Sequence, residues 1–539
     1  MRRALIWLSL LGAACRLLAP LPAATPSPTA EATEFTVFND PSPSPSPAPA
    51  QSPSPGLTET PKAKSGRDFQ VRYHPDGGLY IGDLVSLEVI APEEGDYEKK
   101  KLFLSLGDDS GQELGSAEFQ PFGIAGRMQA TLKWVWDTGG LAPGDYSLVF
   151  SVNPDGPQWR AKLLLNPANA IPSSQSRSRW RMAESRCCVA YYISNTAAAR
   201  DITDLLAIAD QRVEHAVSSL GIGFTDPITI TLLPRVLGHG GFATDEIYVS
   251  YLDRNYAGND FGQVLHHEMI HLLDSRLDGE LRPTILLEGL AVYLARGHFK
   301  LEPLMARAAA LLELGWYLPL VPLADDFYAS QHEVGYLEGG ALIQYLVNIY
   351  GWEAFSTFYR DIDPHPTGKQ SAALDAALLA HFGISLAQLE QNFTAELYRQ
   401  HLNPDLVADV RLTVTFFETV RRYQQLLDPS AYFLTAWLPS GEEMRSRGIV
   451  ADYLRHPIEP VNQAIESKLV AADENLRAGD YAEVERLLDE VNIVLDEEQN
   501  LRTALHGYPD GLEDAAPTRG SISYVKIISS ADQPRAGEE

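Results

Sequence analysis

The segment QVLHHEMIHLLD, residues 263–274, places three histidines and one glutamate inside a short apolar stretch. Such side chains are costly to bury unless they are paired or bind a metal ion. His267, Glu268 and His271 form the pattern H-E-x-x-H. Residues four apart share one face of a helix, so both imidazoles can reach the same ion, while Glu268 lies beside it within reach of a bound water. The pattern predicts a metal site on a helix from about Phe261 to Leu273.

A catalytic zinc site needs a third protein ligand and one open position. Glu288, seventeen residues after His271, is the one charged residue in an apolar stretch that begins at Pro283. A buried carboxylate destabilises the fold unless a cation pairs with it. We therefore expect Glu288 to be the third ligand, on a second helix, with Gly289 and Ala291 allowing the two helices to approach closely.

H-E-x-x-H followed by E-G-x-A-x-Y at 288–293 resembles the gluzincin zinc metallopeptidases, the peptidase MA-like group that includes thermolysin and the larger zinc aminopeptidases. The resemblance spans about Cys187 to Leu402 and implies a thermolysin-like α+β domain with one catalytic Zn²⁺ ion. The roles that it implies are those of zinc ligand for His267, His271 and Glu288, and of general base for Glu268.

Two further segments are similar to parts of the same group. The segment YLEGG, starting at Tyr336, is similar to its Y-x-x-G segment, which implies that the Tyr336 hydroxyl stabilises the oxyanion. Some relatives have lysine where this chain has Glu338, a difference that touches no ligand. The strand near residues 240–251 is implied to be the sheet edge that pairs with an extended peptide.

These residues predict a zinc metallopeptidase, a hydrolase whose partner is a peptide or protein substrate. The related aminopeptidases carry a G-x-M-E-N motif, which does not occur before His267. Endopeptidase action is therefore favoured, although Glu246 could anchor a free amine, which keeps an aminopeptidase open. Two rival hypotheses are a catalytically inactive surface-binding protein that uses the zinc fold as a scaffold, and a zinc hydrolase acting on a non-peptide bond.

The remaining polar residues near the motif have simpler interpretations. His266 projects about 100° away from its neighbouring ligand and is expected to face elsewhere. His332 can line the cleft, and His239 lies in a loop beside the expected substrate edge. Asp274 follows His271 by three residues and is expected either to orient that imidazole or to be a solvated surface residue.

The overall composition narrows the partners. The chain has 539 residues and a formal net charge of -28, which disfavours nucleic acid. Adjacent cysteines are too close for an unstrained bridge, so Cys187 and Cys188 are expected on opposite faces of one strand. We expect no disulfide framework, and the sequence does not predict the oligomeric state.

The N-terminus MRRALIWLSLLGAAC has a basic start and an apolar run, which is typical of an export signal. Two interpretations stay open: lipidation of Cys15 after a lipobox-like segment, giving a membrane tether, and ordinary cleavage near Ala24. An extracellular or cell-surface location is expected in either case.

Composition shifts divide the chain, and the predicted class is multidomain α+β. Alternating apolar strands predict an N-terminal immunoglobulin-like β-sandwich. The C-terminal region is predicted to be mainly helical, with a hairpin that turns at Gly479. The predicted segments are an export signal at 1–24, a Pro/Ser-rich linker at 25–66, the sandwich at 67–168, the gluzincin peptidase domain at 186–402, and the C-terminal helical region at 403–539.

Overall fold

The computed structural model describes residues 69–92, 95–107, 111–122, 127–236, 240–329, 332–428, 431, 441–506 and 526–529. The predicted export signal, Cys15 and the Pro/Ser-rich linker lie outside the described residues. The described chain combines sheets with helices, which confirms the mixed α+β class. Among the described helices, none is long and apolar enough to cross a membrane alone, and one pair, Gln370–Phe382 with Leu386–Leu397, passes that test jointly with a bend of 80°.

The first part of the fold is built from strands in which apolar and polar residues alternate. In KLFLSL, for example, Leu102 and Leu104 are fully buried while Lys101, Phe103 and Ser105 are half-buried. The strands are β1 Gln70–His74, β2 Leu79–Tyr80, β3 Leu84–Ile90, β4 Lys101–Leu106, β5 Glu113–Glu118, β6 Gln120–Phe122, β7 Arg127–Asp137, β8 Gly144–Asn153 and β9 Gln158–Asn166.

These strands form two sheets that share one apolar core, in which Trp136 and Trp159 are buried. One sheet has the order β1-β3-β7-β6, and the other has the order β9-β8-β4-β5, with β2 pairing in parallel with β9. Lys526–Ser529 adds a further strand antiparallel to β9, within a C-terminal region that is otherwise mainly helical among its described residues, as predicted. The predicted strands at β3, β4, β7, β8 and β9 are confirmed.

A separate five-stranded sheet is formed by residues in the middle part of the chain, before its helices. Its order is β10-β11-β12-β14-β13, in which β11, β12 and β14 run parallel and β10 and β13 pair antiparallel at the two ends. The first strand lies between the predicted sandwich at 67–168 and the predicted peptidase domain at 186–402, outside both. The bounds are β10 Trp180–Glu184, β11 Cys188–Ile193, β12 Ile228–Leu233, β13 Gly241–Ala243 and β14 Ile247–Ser250.

The two neighbouring cysteines form a disulfide, so the prediction that Cys187 and Cys188 point to opposite faces of a strand is wrong. The physical reason is that β11 begins at Cys188, which leaves Cys187 outside the strand and its alternation. The backbone N–H of Cys187 instead donates to Oδ1 of Asp210 at 2.9 Å.

Helices cover this sheet and continue the chain. An all-round apolar helix must be buried on every side, and Thr284–Ala295 packs between the helices Phe261–Asp274 and His332–Tyr350 within one core. The predicted helix at about Phe261–Leu273 and the predicted second helix, in the apolar stretch that begins at Pro283, are confirmed. The bounds are α1 Ser173–Ser176, α2 Ala197–Leu220, α3 Phe261–Asp274, α4 Thr284–Ala295, α5 Leu304–Glu313, α6 Leu320–Asp325, α7 His332–Tyr350, α8 Trp352–Arg360, α9 Gln370–Phe382 and α10 Leu386–Leu397.

The three long helices among those that remain share a separate apolar cluster that includes Tyr423 and Leu469, whereas Met444 and Tyr453 of two short helices pack with Tyr248. The predicted hairpin is confirmed, and Gly479 adopts a positive φ of 80° at its turn, a conformation that glycine accepts without steric cost. The bounds are α11 Pro404–Leu427, α12 Gly441–Ser446, α13 Ala451–Leu454, α14 Pro460–Ala478 and α15 Tyr481–His506.

Candidate metal centre

Helix α3 is fixed in position at its first turn. Oδ1 of Asp260 accepts the backbone N–H of Gln263 at 2.8 Å, which caps the helix. The side-chain amide of Gln263 does not complete a reciprocal cap with the backbone of Asp260. Its Nε2 donates instead to the carbonyl oxygens of Ala295 at 2.9 Å and Gly297 at 2.5 Å, so Gln263 ties the start of α3 to the end of α4.

This arrangement brings together the side chains of His267, His271 and Glu288. The two histidine Nε2 atoms are 2.9 Å apart, and each is 3.2 Å from Oε2 of Glu288. Ligand atoms of a tetrahedral zinc site with bonds of about 2.0–2.1 Å lie about 3.3 Å from one another. The three atoms therefore have the spacing and the donor types of a zinc site, and no other group of this kind is found in the part of the chain that the structure describes.

Glu288 is placed by the close contact of α4 with α7. A Cβ added at Gly289 would lie 2.5 Å from the carbonyl oxygen of Gly339, so only glycine permits this approach. Gly289 was expected to let α4 approach α3, and this expectation is wrong about the partner. The neighbour is α7, the helix that carries Tyr336.

The second oxygen of the Glu288 carboxylate also has a partner. The hydroxyl of Tyr328 donates to Oε1 of Glu288 at 2.5 Å, from a 3₁₀ turn at Phe327–Ala329. Because Oε1 is held by Tyr328, Oε2 is the oxygen that faces the two histidines. Residues that hold a metal ligand in this way tune its affinity for the ion.

The protonation of the three side chains is strongly coupled. Burial lowers the pKa of His267 to about 4. Burial also acts to lower the pKa of His271, but the Glu288 carboxylate outweighs it and raises that pKa to about 9. Although burial opposes ionisation of Glu288, the two histidines hold the pKa of its carboxyl well below the usual range. Glu288 is thus a charged carboxylate, the form that binds metal ions.

Glu268 lies between this group and the edge strand β13. Its side chain is 7% exposed and accepts a hydrogen bond from the backbone N–H of Ala243. A Cβ at Gly241 would lie 2.7 Å from Cγ1 of Val264 and 3.3 Å from Cγ of Glu268, so the strand passes close over α3. Burial raises the pKa of Glu268 to about 7.

Tyr336 on α7 lies on another side of the same group. Its ring centroid is 5.9 Å from that of His267, and its side chain is 5% exposed. Burial and the nearby Glu288 carboxylate raise the pKa of Tyr336 well above its usual value, so the hydroxyl keeps its proton. The structure therefore brings together all five residues that the sequence singled out for the site.

The remaining polar residues around the motif take different positions. His266 is 4% exposed and faces away, with its ring 6.1 Å from that of His215. Asp274 is not a solvated surface residue, since it is 4% exposed and lies 3.6 Å from Arg282. Oδ1 of Asp274 and Nδ1 of His271 both lack a hydrogen-bond partner, so Asp274 does not orient this imidazole by a direct hydrogen bond. His239 and the side chain of His332 lie outside the described residues.

Glu246, which the sequence analysis considered as an anchor for a free amine, is already engaged. Nη1 of Arg445 lies 3.0 and 3.1 Å from its two carboxylate oxygens, and the hydroxyl of Tyr248 donates to it. The side chain is 12% exposed and that of Arg445 is 13% exposed. Arg445 thus neutralises Glu246 within the fold.

Two residues near the group were missed by the sequence analysis, Tyr328 and His298. The Tyr328 hydroxyl holds Glu288, and the His298 ring stacks on that of Tyr336 with centroids 4.3 Å apart. Neither lies in the helical pattern that revealed the ligands. The available signal was a histidine directly after the helix that carries Glu288, in the segment ARGHF.

No family model matches the sequence, and no curated protein sequence matches it. Similar solved structures include an M1 zinc metallopeptidase from Deinococcus radiodurans, 15% identical, covering 63% of this chain and 96% of that one, with a TM-score of 0.29. Another is an aminopeptidase N family protein from Idiomarina loihiensis, 12% identical, covering 63% of this chain and 78% of that one, with a TM-score of 0.28. The function proposed below rests on the geometry of the site.

Proposed function

We propose that this protein is a zinc-dependent peptidase that hydrolyses peptide bonds and acts as an endopeptidase. The observation that carries the proposal is the convergence of His267, His271 and Glu288 beside Glu268, directly under the sheet edge at Ala243. A binding scaffold has no need for an acidic residue between a three-ligand group and an edge strand. A peptidase needs one at that place.

His267, His271 and Glu288 would bind one Zn²⁺ ion, and the side chains around them fit this role. Both Nε2 atoms and Oε2 face a common point, and Tyr328 fixes the carboxylate. When bound, zinc would lower the pKa of water and polarise a carbonyl group.

Glu268 and Tyr336 would act on the substrate. Glu268 is placed to accept a proton from the attacking water and to pass it to the leaving amine, which is general base and then general acid catalysis. The protonated hydroxyl of Tyr336 is placed to donate a hydrogen bond to the oxyanion that develops on the carbonyl. Strand β13 would bind the extended substrate through backbone hydrogen bonds.

Endopeptidase action is favoured over aminopeptidase action by the state of Glu246. An aminopeptidase needs a free carboxylate for the amine of its substrate, whereas Arg445 already pairs with Glu246. Peptides with an acetylated N-terminus separate the two activities. An endopeptidase cleaves them at internal bonds, and an aminopeptidase leaves them intact.

We also propose that the protein is exported and held at the cell surface, with the sandwich as a spacer of immunoglobulin-like topology. The strand orders β1-β3-β7-β6 and β9-β8-β4-β5 support this, because they match the A-B-E-D and G-F-C-C′ sheets of such domains. The basic and apolar N-terminal segment supports export. Globomycin-sensitive processing and labelling of Cys15 by fatty acid would distinguish lipidation from cleavage near Ala24.

The test of the peptidase proposal is Glu268→Gln. The variant keeps all three ligands, so it should bind one zinc ion per chain while kcat on a mixed peptide library falls about 100- to 10,000-fold. Glu280→Gln is the matched control, because Glu280 is exposed on the loop between α3 and α4. Unchanged cleavage by Glu268→Gln would exclude Glu268 as the base, and a zinc-loaded parent protein that cleaves no peptide would favour an inactive binding scaffold.

A further inference from the structure

His298 lies beside the metal centre but outside the ligand group. It follows the end of α4, and its ring stacks on Tyr336 with centroids 4.3 Å apart and planes 16° from parallel. Its centroid is 6.1 Å from that of His267. Its side chain is 13% exposed, so the imidazole is largely enclosed at the wall of the site.

The His298 ring is anchored by a carboxylate on the same helix as Tyr336. Nδ1 of His298 lies 2.6 Å from Oε2 of Glu333, whose side chain is fully buried. Glu333 and Tyr336 are three residues apart on α7, so they lie on one helical face. One imidazole therefore contacts both, through its edge at Glu333 and through its face at Tyr336.

A second aromatic ring also packs against the tyrosine. The ring of Phe327 packs against that of Tyr336 at a centroid distance of 5.2 Å and an angle of 75°. Tyr336 thus contacts two rings, a T-shaped phenylalanine and a stacked histidine. Loss of the histidine would remove one of these two ring contacts.

The loop that carries His298 is held in place by hydrogen bonds to Glu302 and by the ion pairs that fix Glu302. Oε1 of Glu302 accepts the backbone N–H groups of His298 and Phe299, both at 3.2 Å. Glu302 pairs with Arg307, which in turn pairs with Asp409 of α11. The position of the His298 ring therefore depends on the C-terminal helices as well as on Glu333.

We propose that His298 is a positioning residue for Tyr336: stacked on the tyrosine and anchored to Glu333, it holds the hydroxyl where the oxyanion develops. This inference rests on the proposed peptidase function. It assigns no contact between His298 and the substrate. The proposal predicts that His298 affects catalysis only by keeping Tyr336 in position.

A double-mutant cycle tests this route of action. His298→Ala should lower kcat on a cleaved peptide about 10- to 100-fold with KM changed less than about 2-fold, because substrate binding at β13 is untouched. In a Tyr336→Phe background the same change should lower kcat less than about 2-fold, since the hydroxyl is already absent. Fully additive losses, or an unchanged kcat in His298→Ala, would overturn the proposal.

A second measurement requires neither zinc nor substrate. In crystals of metal-free His298→Ala, the Tyr336 ring should leave its position or occupy more than one rotamer, and a ring that stays in place would contradict the proposal. His381→Ala is the matched control, because Nε2 of His381 lies 3.6 Å from a carboxylate oxygen of Asp361, away from the site. If the parent protein cleaves no peptide, the proposed function fails, while the crystals still decide whether His298 positions Tyr336.

Discussion

Tyr328→Phe removes the hydroxyl that holds the ligand carboxylate and leaves the ring in place. In the folded protein this hydroxyl lies 2.5 Å from Oε1 of Glu288, while Oε2 faces the two histidines at 3.2 Å. Without the donor, the carboxylate can rotate away from its position. Residues that hold metal ligands typically contribute a factor of about 10–100 in affinity. Because Tyr328 is 40% exposed, water can replace part of the lost hydrogen bond, and we expect the lower end.

The expected result is a zinc dissociation constant raised about 10-fold, which corresponds to about 1.4 kcal/mol. Competition with a chromophoric chelator at pH 7 measures it. Tyr251→Phe is a matched control, because it removes a hydroxyl that donates to Asp201 at 3.0 Å, outside the ligand group. A Tyr328→Phe affinity equal to that of the control would refute the idea that this hydroxyl orients Glu288.

Three further changes test the surrounding fold. Burial raises the pKa of Glu338 well above its usual value, so the stability that its neutral form contributes is lost as pH rises through that pKa. Glu338→Gln should therefore gain in Tm relative to the parent protein between pH 6 and pH 9. A difference in Tm that does not change with pH would argue against this explanation. Asp428→Asn leaves the buried Arg235 without its carboxylate and should cost about 3–5 kcal/mol by denaturant unfolding. Asp496→Asn, in a pair whose carboxylate is 63% exposed, should cost less than about 1 kcal/mol. Gly289→Ala puts a methyl group 2.5 Å from the Gly339 carbonyl oxygen. It should destabilise the fold by about 1–3 kcal/mol and weaken zinc binding. An unchanged Tm would show that α4 and α7 can separate freely.

The ligand group could be predicted because its signal is local. His267 and His271 are one helical turn apart, and that spacing fixes their common direction whatever surrounds the helix. Glu288 was indicated by its isolation in an apolar segment, since the cost of burying its charge requires a cation. Both arguments use neighbours within a few residues, and the structure brings the three side chains within hydrogen-bond distance of one another.

The positions of Tyr328 and His298 could not be predicted because no periodic pattern contains them. Each lies in a turn or loop whose path is fixed by distant contacts, such as the Glu302 carboxylate that accepts the N–H of His298. Strand β10 was missed for a related reason. Its sequence WRMAE carries no alternation of buried residues, and pairing with β11 alone makes it a strand. The ion pair between Glu246 and Arg445, 199 residues away, cannot be predicted from local sequence patterns either.

The composition change near residue 403 does not mark a clean domain boundary, because ion pairs with buried carboxylates connect the residues before it to the residues after it. Arg307 pairs with Asp409, Arg235 with Asp428 and Arg254 with Glu466. The three carboxylates all belong to the C-terminal side, and all are at most 9% exposed. Removing that side would leave Arg235 and Arg254 without their carboxylates and Arg307 with Glu302 alone. Breaking even one buried pair in this way is strongly destabilising. The C-terminal helices thus complete the charge balance of the part of the fold that carries the metal centre, and a chain ending near residue 403 should not fold stably.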